Sequence, residues 1–220
     1  MTRLILASAS PRRRELIQLL GLLVEIRAAD VDERQITHPE PALNAIETAV
    51  LKARAVAASL TDPALIIGCD TNVAYGEHIL GKPRDSAETW TMLRLLRGQV
   101  HQVHSGLAVL DTVTHRLVTD VASVDVPMRA YSDEEIAAYV ATGDPLDKAG
   151  GYAIQHPRFQ PAAALTGCYA GVVGLPLCHL GRALRQFGLP VGPAIADRCQ
   201  AYHVYDCPVW SGIWGAAEQK

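Results

Sequence analysis

Ser8-Ala9-Ser10-Pro11-Arg12-Arg13-Arg14 brings two hydroxyls and three guanidinium groups to the start of a helical pattern. The free N–H groups at a helix start favour an anion, and the guanidinium forks match phosphate oxygens. Three cations in a first turn oppose the helix dipole at roughly 0.3–1 kcal/mol each, so a bound polyphosphate explains them better than an ordinary surface turn does. A second group is Cys69-Asp70-Thr71-Asn72, directly after the apolar run 64–68. A carboxylate just beyond a buried strand is a frequent position for a catalytic or metal-binding group. Lys82 lies in a Gly-Pro loop. Lys148 and Gln155 lie in Asp144-Pro145-Leu146-Asp147-Lys148-Ala149-Gly150-Gly151-Tyr152-Ala153-Ile154-Gln155. Lysine is a point charge suited to phosphate, glutamine can read a base edge, and adjacent glycines let a backbone approach a ligand. Asp30, Asp32 and Glu33 form an acidic loop that reads as solvated when taken alone.

These groups, with no serine–histidine or cysteine–histidine pairing among them, point to metal-assisted attack of water on a phosphoanhydride. Cations would neutralise the phosphates, and a carboxylate would orient or deprotonate the water or hold the metal. Magnesium needs only one or two protein carboxylates beside phosphate oxygens.

Leu4 to Leu6 reads as a short buried strand, Ser10 as an N-cap, Pro11 as the first helical residue, and Leu16, Leu19, Leu20 and Leu23 as helically spaced. Gly21 ends that helix, and Val24 to Ile26 is a second strand. Residues 41–60 form a helix with Leu43, Ile46, Val50, Ala53 and Ala57 near one face and Lys52 on it. Residues 64–68 are a strand, and Val73 to Leu80 a hairpin around Gly76. Asp85 opens a helix that runs to Arg97, and Ser132 with Glu135 is a capping box for another that ends before Gly143. Between them, residues 99–110 and 116–126 form an antiparallel pair. His101 and His104, three apart on an extended strand, face opposite ways, which excludes a metal pair. Pro176 starts the last main helix and Gly188 stops it. Residues 1–189 are expected to form one domain, followed by a tail, 190–220, of different composition. Cys199, His203 and Cys207 in that tail lack the fourth ligand of a structural zinc site.

A chain of 220 residues, 49% hydrophobic and 20% charged, suits a folded globular protein. Its net charge of -3 disfavours general nucleic-acid affinity. No apolar run reaches the roughly 18 residues of a membrane span, and the N-terminus lacks a signal-peptide pattern. Five scattered cysteines fit reduced thiols and a cytoplasmic location. Lysine occurs four times, at Lys52, Lys82, Lys148 and Lys220, among twenty basic residues, so its placement in loops is informative. P-loop, GxGxxG, HExxH and GxSxG signatures are absent from the sequence.

In SASPRRREL, VDE at 31–33, the helix carrying Lys52, GCDTNV at 68–73, LGKPRD at 80–85, PLDKAGGYAIQ at 145–155 and VVGLPL at 172–177, the chain resembles the Maf family of nucleoside triphosphate pyrophosphatases. The resemblance implies an α/β fold with an elongated mixed sheet, flanking helices and two lobes around a central cleft. It implies cleavage of a nucleoside triphosphate to monophosphate and pyrophosphate with a divalent cation, magnesium or manganese. SPRR, DT and DKAGxYxIQ resemble the branch acting on dTTP and UTP; 7-methyl-GTP or CTP, or a nucleotide-binding regulatory role linked to septum formation, are the alternatives. It further implies Asp70 as proton acceptor and metal ligand, and Arg12, Thr71 and Gln155 as selectors of the base. Ser8, Arg13, Glu33, Lys52 and Lys82 would line the phosphate and metal site, with Glu33 a metal ligand and Glu33 and Lys82 counted with Asp70 in the catalytic set. Ser10 and Lys148 join the substrate-binding set from their own chemistry. No nucleic-acid or membrane partner is expected, and a homodimer is left open. Cys69, Ala153, His156 and Gly167-Cys168-Tyr169 depart from the family pattern, and Ala153 and His156 flank Gln155.

Overall fold

The computed structural model describes residues 3–215. Six strands form one mixed sheet: β1 (Leu4–Leu6), β2 (Val24–Ile26), β3 (Leu65–Tyr75), β4 (His78–Leu80), β5 (Val100–Asp111) and β6 (Leu117–Pro127). Their order is β2-β1-β3-β5-β6, with β4 also on β3. β1 is parallel to β2 and β3, and the other pairs are antiparallel.

The register of β3 creates the site. Along one edge β5 accompanies it from Leu65↔Asp111 to Ala74↔Gln102. Along the other edge β1 pairs only with Leu65, Ile66 and Ile67, and β4 only with Val73, Ala74 and Tyr75. Residues 68–72 therefore have no strand on that side. Asp70 lies inside a long strand, opposite a gap in the sheet, and not beyond a strand end as its sequence context suggests. The apolar run stops at Gly68, but pairing with β5 carries the extended backbone seven residues further.

The helices are α1 (Pro11–Gln18), α2 (Pro41–Ala58), α3 (Ser86–Leu96), α4 (Asp133–Val140), α5 (Tyr169–Val173), α6 (Leu177–Arg185), α7 (Ala194–His203) and α8 (Trp210–Gly215). Ser10 caps α1 by accepting from the Arg13 N–H, and Ser132 and Glu135 form the expected capping box of α4. α1 stops sooner than the leucine spacing suggests, so Leu23 is 89% exposed. α5 is not anticipated from the sequence, because its five residues are too few to show a period.

The buried face of α2 also differs from expectation. Ala45, Ala49 and Ala53 are fully buried, with Thr48, Lys52 and Val56, whereas Leu43 is 39% exposed. The sheet beneath α2 explains this. A Cβ at Gly68 would overlap the Ala49 carbonyl, and one at Gly106 would overlap the Ala45 backbone. The helix lies so close to these glycines that only small side chains fit beneath it.

Three apolar clusters divide the molecule into two lobes that share the long strands. Two lie on opposite faces of the sheet at the β1 end, one with α1 and α6 and the other with α2. The third gathers Leu93, Leu96, Val103, Val126, Tyr131 and Ile136 around the far ends of β5 and β6. The tail packs on the first cluster through Ile195, Ala196 and Trp214, and Cys199, His203 and Cys207 line a small apolar pocket with Cys168 and Cys178. Residues 216–220 of the tail, including Lys220, lie outside the described residues. Among the described residues no helix is long and apolar enough to cross a membrane.

His101 and His104 do face opposite ways. His101 shares a 2.7 Å hydrogen bond with the Tyr152 hydroxyl, and His104 one of 2.8 Å with Ser123. Burial lowers the His101 imidazole to about 4. Its folded pKa lies below the unfolded value, so the stability it contributes is present above about 6.5 and falls as the pH drops toward 4. Urea denaturation at stepped pH is expected to show this loss between pH 6.5 and 5, on the order of 1 kcal/mol per unit. His101→Gln should remove part of the slope; a flat profile in the unmodified protein would contradict it.

Candidate active site

The gap beside β3 opens into a cleft of about 670 Å³, walled by the turn before α1, by α2, by the loop after β4 and by the segment 147–155. Ser8, Ser10, Arg12, Arg13, Glu33, Lys52, Asp70, Thr71, Lys82, Lys148 and Gln155 all line it. They come from segments up to about 150 residues apart, so the fold brings every expected site residue to one place. Their bonding, however, divides them.

Alternation along β3 sends Asp70 and Asn72 to the α2 face and Thr71 to the opposite face. On the α2 face, buried Lys52 donates from Nζ to Asp70 Oδ1 at 2.6 Å and pairs with Glu33 Oε1 at 2.9 Å. Asp32 accepts from the Arg34 N–H and starts the 3-10 turn Glu33–Gln35 that presents Glu33. Two carboxylates from distant segments thus converge on one ammonium. Asn72, 5% exposed, donates Nδ2 to the Pro41 carbonyl at 2.8 Å, and its Oδ1 has no partner among the described residues. Asn72 escapes a reading of the sequence, although its two-residue offset from Asp70 is the signal that could have placed it.

On the other face Arg13 is held by three protein acceptors. Nε donates to the Gly174 carbonyl at 2.8 Å, one terminal nitrogen to the Cys69 carbonyl at 2.9 Å, and the other to Thr71 Oγ1 at 2.9 Å. A guanidinium has five N–H donors, so two remain for a ligand. Arg13 therefore locks α1 to β3 and to the end of α5 as much as it offers charge. Cys69 gives its thiol to the same Gly174 carbonyl at 3.1 Å. Burial pushes that thiol above its ordinary pKa, so it is no nucleophile. Ser8, also buried, accepts from the Ser10 N–H at 3.2 Å and shapes the turn. Arg12 lines the cleft with its guanidinium 3.7 Å from Asp147.

Lys82 and Gln155 are exposed on the rim. Lys148, expected to bind a phosphate, lines the cleft with its ammonium turned to its own loop. It is 7% exposed, and its ammonium donates to the Asp144 carbonyl at 2.6 Å, to Asp144 Oδ1 at 2.9 Å and to Asp147 Oδ1 at 2.6 Å. An ammonium has three donors, so all are committed within the loop. Lys148→Met is expected to lower stability by about 1–3 kcal/mol while changing the KM for a triphosphate less than about threefold. Unchanged stability with a tenfold higher KM would return Lys148 to the substrate. The paired glycines also differ from expectation: Gly150 and Gly151 adopt φ of +70° and +71° and pack on Val73 and Thr89, so they serve the turn and not a ligand. Ala153 and His156 turn inward as well; the Ala153 N–H donates to the Tyr139 hydroxyl, and His156 lies against the Tyr139 ring.

A divalent cation fits here in one way. Among the described residues no three His, Cys, Asp or Glu side chains gather as a preformed metal site. Among the described residues Glu33 and Asp70 are the carboxylates that meet at Lys52, and two carboxylates with phosphate oxygens suffice for magnesium. The cleft thus joins a pair of carboxylates on one face of β3 to a cationic turn on the other, with an uncovered strand edge between them.

The family model described as Maf-like protein matches residues 3–187. A relative from Moorella thermoacetica named dTTP/UTP pyrophosphatase is 45% identical, over 87% of this chain and 98% of its own. Relatives of the same name from Alkaliphilus oremlandii and Pelotomaculum thermopropionicum are each 43% identical. They cover 84% and 87% of this chain, and 96% and 100% of their own. The motifs, the cleft they build and these matches agree: the chain belongs to the Maf-like protein family.

Proposed function

We propose that this protein hydrolyses dTTP and UTP to the nucleoside monophosphate and pyrophosphate in the cytoplasm. The observation that carries the reading is the Asp70–Lys52–Glu33 group at the gap in β3, facing the turn that bears Arg12 and Arg13. The names of the relatives support the substrate.

On this reading the triphosphate lies along the uncovered edge of β3. The turn at Ser8 and Ser10, the two remaining donors of Arg13 and the ammonium of Lys82 on the rim bind its phosphate oxygens. Lys52 fixes the Asp70 carboxylate through Oδ1, which leaves Oδ2 to accept the proton of the attacking water. Glu33 and Asp70 would hold a divalent cation, which when bound supplies neutralisation of the phosphate charge. Arg12, Thr71 and Gln155, which line the same cleft, would meet the base. Asp147, which pairs with Arg12, can hold it until the nucleotide enters.

The test is incubation with dTTP, UTP, CTP, GTP and 7-methyl-GTP in the presence of magnesium or manganese, with pyrophosphate and orthophosphate measured separately. Pyrophosphate release greatest from dTTP and UTP is the expected result. Release of orthophosphate, preference for a purine, or no turnover would reject it.

A further inference from the structure

Thr71 can accept from a ligand but cannot donate to one, and the reason lies behind it. Ser105 on β5 is fully buried and stands opposite Thr71 in the sheet register. Its Oγ lies 2.7 Å from the Gly171 carbonyl and 2.7 Å from Thr71 Oγ1. A carbonyl only accepts, so the single Ser105 proton points at Gly171. Thr71 must then donate its own proton to Ser105. Arg13, which has only donors, gives an N–H to Thr71 Oγ1 at 2.9 Å. One proton direction satisfies all three contacts: Arg13 to Thr71, Thr71 to Ser105, Ser105 to Gly171. Thr71 lines the cleft, and its hydroxyl has one lone pair left and no proton to offer.

We infer that Ser105 is a positioning residue that makes Thr71 an acceptor-only contact and so favours a nucleotide base carrying an N–H over one carrying a lone pair at the same place. This rests on the pyrimidine substrate and the Thr71–base contact proposed above. Uracil and thymine present N3–H, whereas cytosine presents the N3 lone pair. Facing cytosine, the remaining Thr71 lone pair meets another lone pair, and the fixed proton chain prevents the hydroxyl from turning round. Gly171 is supplied by α5, whose final carbonyls have no helical partner of their own, so α5, Ser105 and Arg13 together set the polarity of one hydroxyl.

Removing the Ser105 hydroxyl releases the Thr71 proton, which can then reach N3 of cytosine. The experiment measures dissociation constants of non-hydrolysable α,β-imido analogues of UTP and CTP by calorimetry. The proteins compared are the unmodified chain, Ser105→Ala, Ser105→Cys, Thr71→Val and the Ser105→Ala/Thr71→Val double variant. The unmodified protein should prefer the UTP analogue. Ser105→Ala should reduce that preference about 3- to 10-fold, the worth of about one hydrogen bond. Ser105→Cys, which keeps the volume with a weaker donor, should fall between and serves if the alanine variant does not fold. With Thr71→Val in place, adding Ser105→Ala should change the ratio less than twofold, an outcome that a merely structural Ser105 would not give. An unchanged ratio in folded Ser105→Ala or Ser105→Cys, or no UTP preference in the unmodified protein, overturns the inference. Absence of turnover with the binding ratios as expected would instead count against the proposed hydrolysis.

Discussion

Asp70→Asn is expected to lower pyrophosphate release by about 10²–10⁴-fold, the range for losing a positioned general base, while the protein still binds the triphosphate. The substitution preserves shape, and the amide oxygen can still meet Lys52 Nζ, which keeps Glu33 as its second partner. The strand does not depend on the Asp70 side chain, because pairing with β5 fixes its backbone. Folding should therefore survive. Without metal, nucleotide affinity should rise, since one negative charge beside the phosphates is gone. Single-turnover kinetics and calorimetry separate these effects. Activity within tenfold of the unmodified enzyme would remove Asp70 as the proton acceptor and leave Glu33 as the carboxylate to examine. Loss of binding along with turnover would show that Asp70 mainly holds the cation on which the phosphates depend.

What could be read from the sequence was local. Ser10 before Pro11, Ser132 with Glu135, and the paired runs on either side of Asp111 each place their own signal within a few residues, and each element forms as expected. The residues that line the cleft stand out in the sequence for a related reason: their cations and carboxylates are grouped in short motifs, most of them in turns that contain Gly or Pro. What could not be read depends on distant partners. Asp70 sits mid-strand because β1 is short and β4 starts late, and neither boundary is written near Asp70. Lys148 looks like a free cation until the loop closes and Asp144 and Asp147 surround it. Arg13 looks like a phosphate clamp until Gly174, Cys69 and Thr71 claim three of its donors. Ser105 carries no signal in an apolar strand, because its importance comes from Gly171 and Thr71 on either side of it.

The same dependence on distant neighbours makes Gly106→Ala the substitution expected to do most harm to the fold and the site together. Gly106 has no positive φ, so backbone strain is not the reason. Space is: an added methyl would overlap the carbonyl carbon and oxygen of Ala45 and the Ile46 nitrogen, all backbone atoms of α2. A side chain could rotate away, but a helix backbone can only move as a body. Overpacking of this kind costs about 1–3 kcal/mol, and more where nothing yields. Lys52 lies two turns further along α2, so the shift that relieves Gly106 also withdraws Nζ from Asp70 Oδ1. A displacement of about 1 Å in a positioning group can lower turnover about 10²-fold. Urea denaturation and pyrophosphate release measured together should therefore both fall. Gly192→Ala, with nothing within 4 Å and no positive φ, should leave both unchanged. Because the clash is with backbone, trimming the neighbour in Gly106→Ala/Ala45→Gly should not restore either quantity. Full rescue by that double variant, or a stable and active Gly106→Ala protein, would mean that α2 is not pressed against the sheet, and that the Lys52–Asp70 contact does not depend on how closely the helix lies.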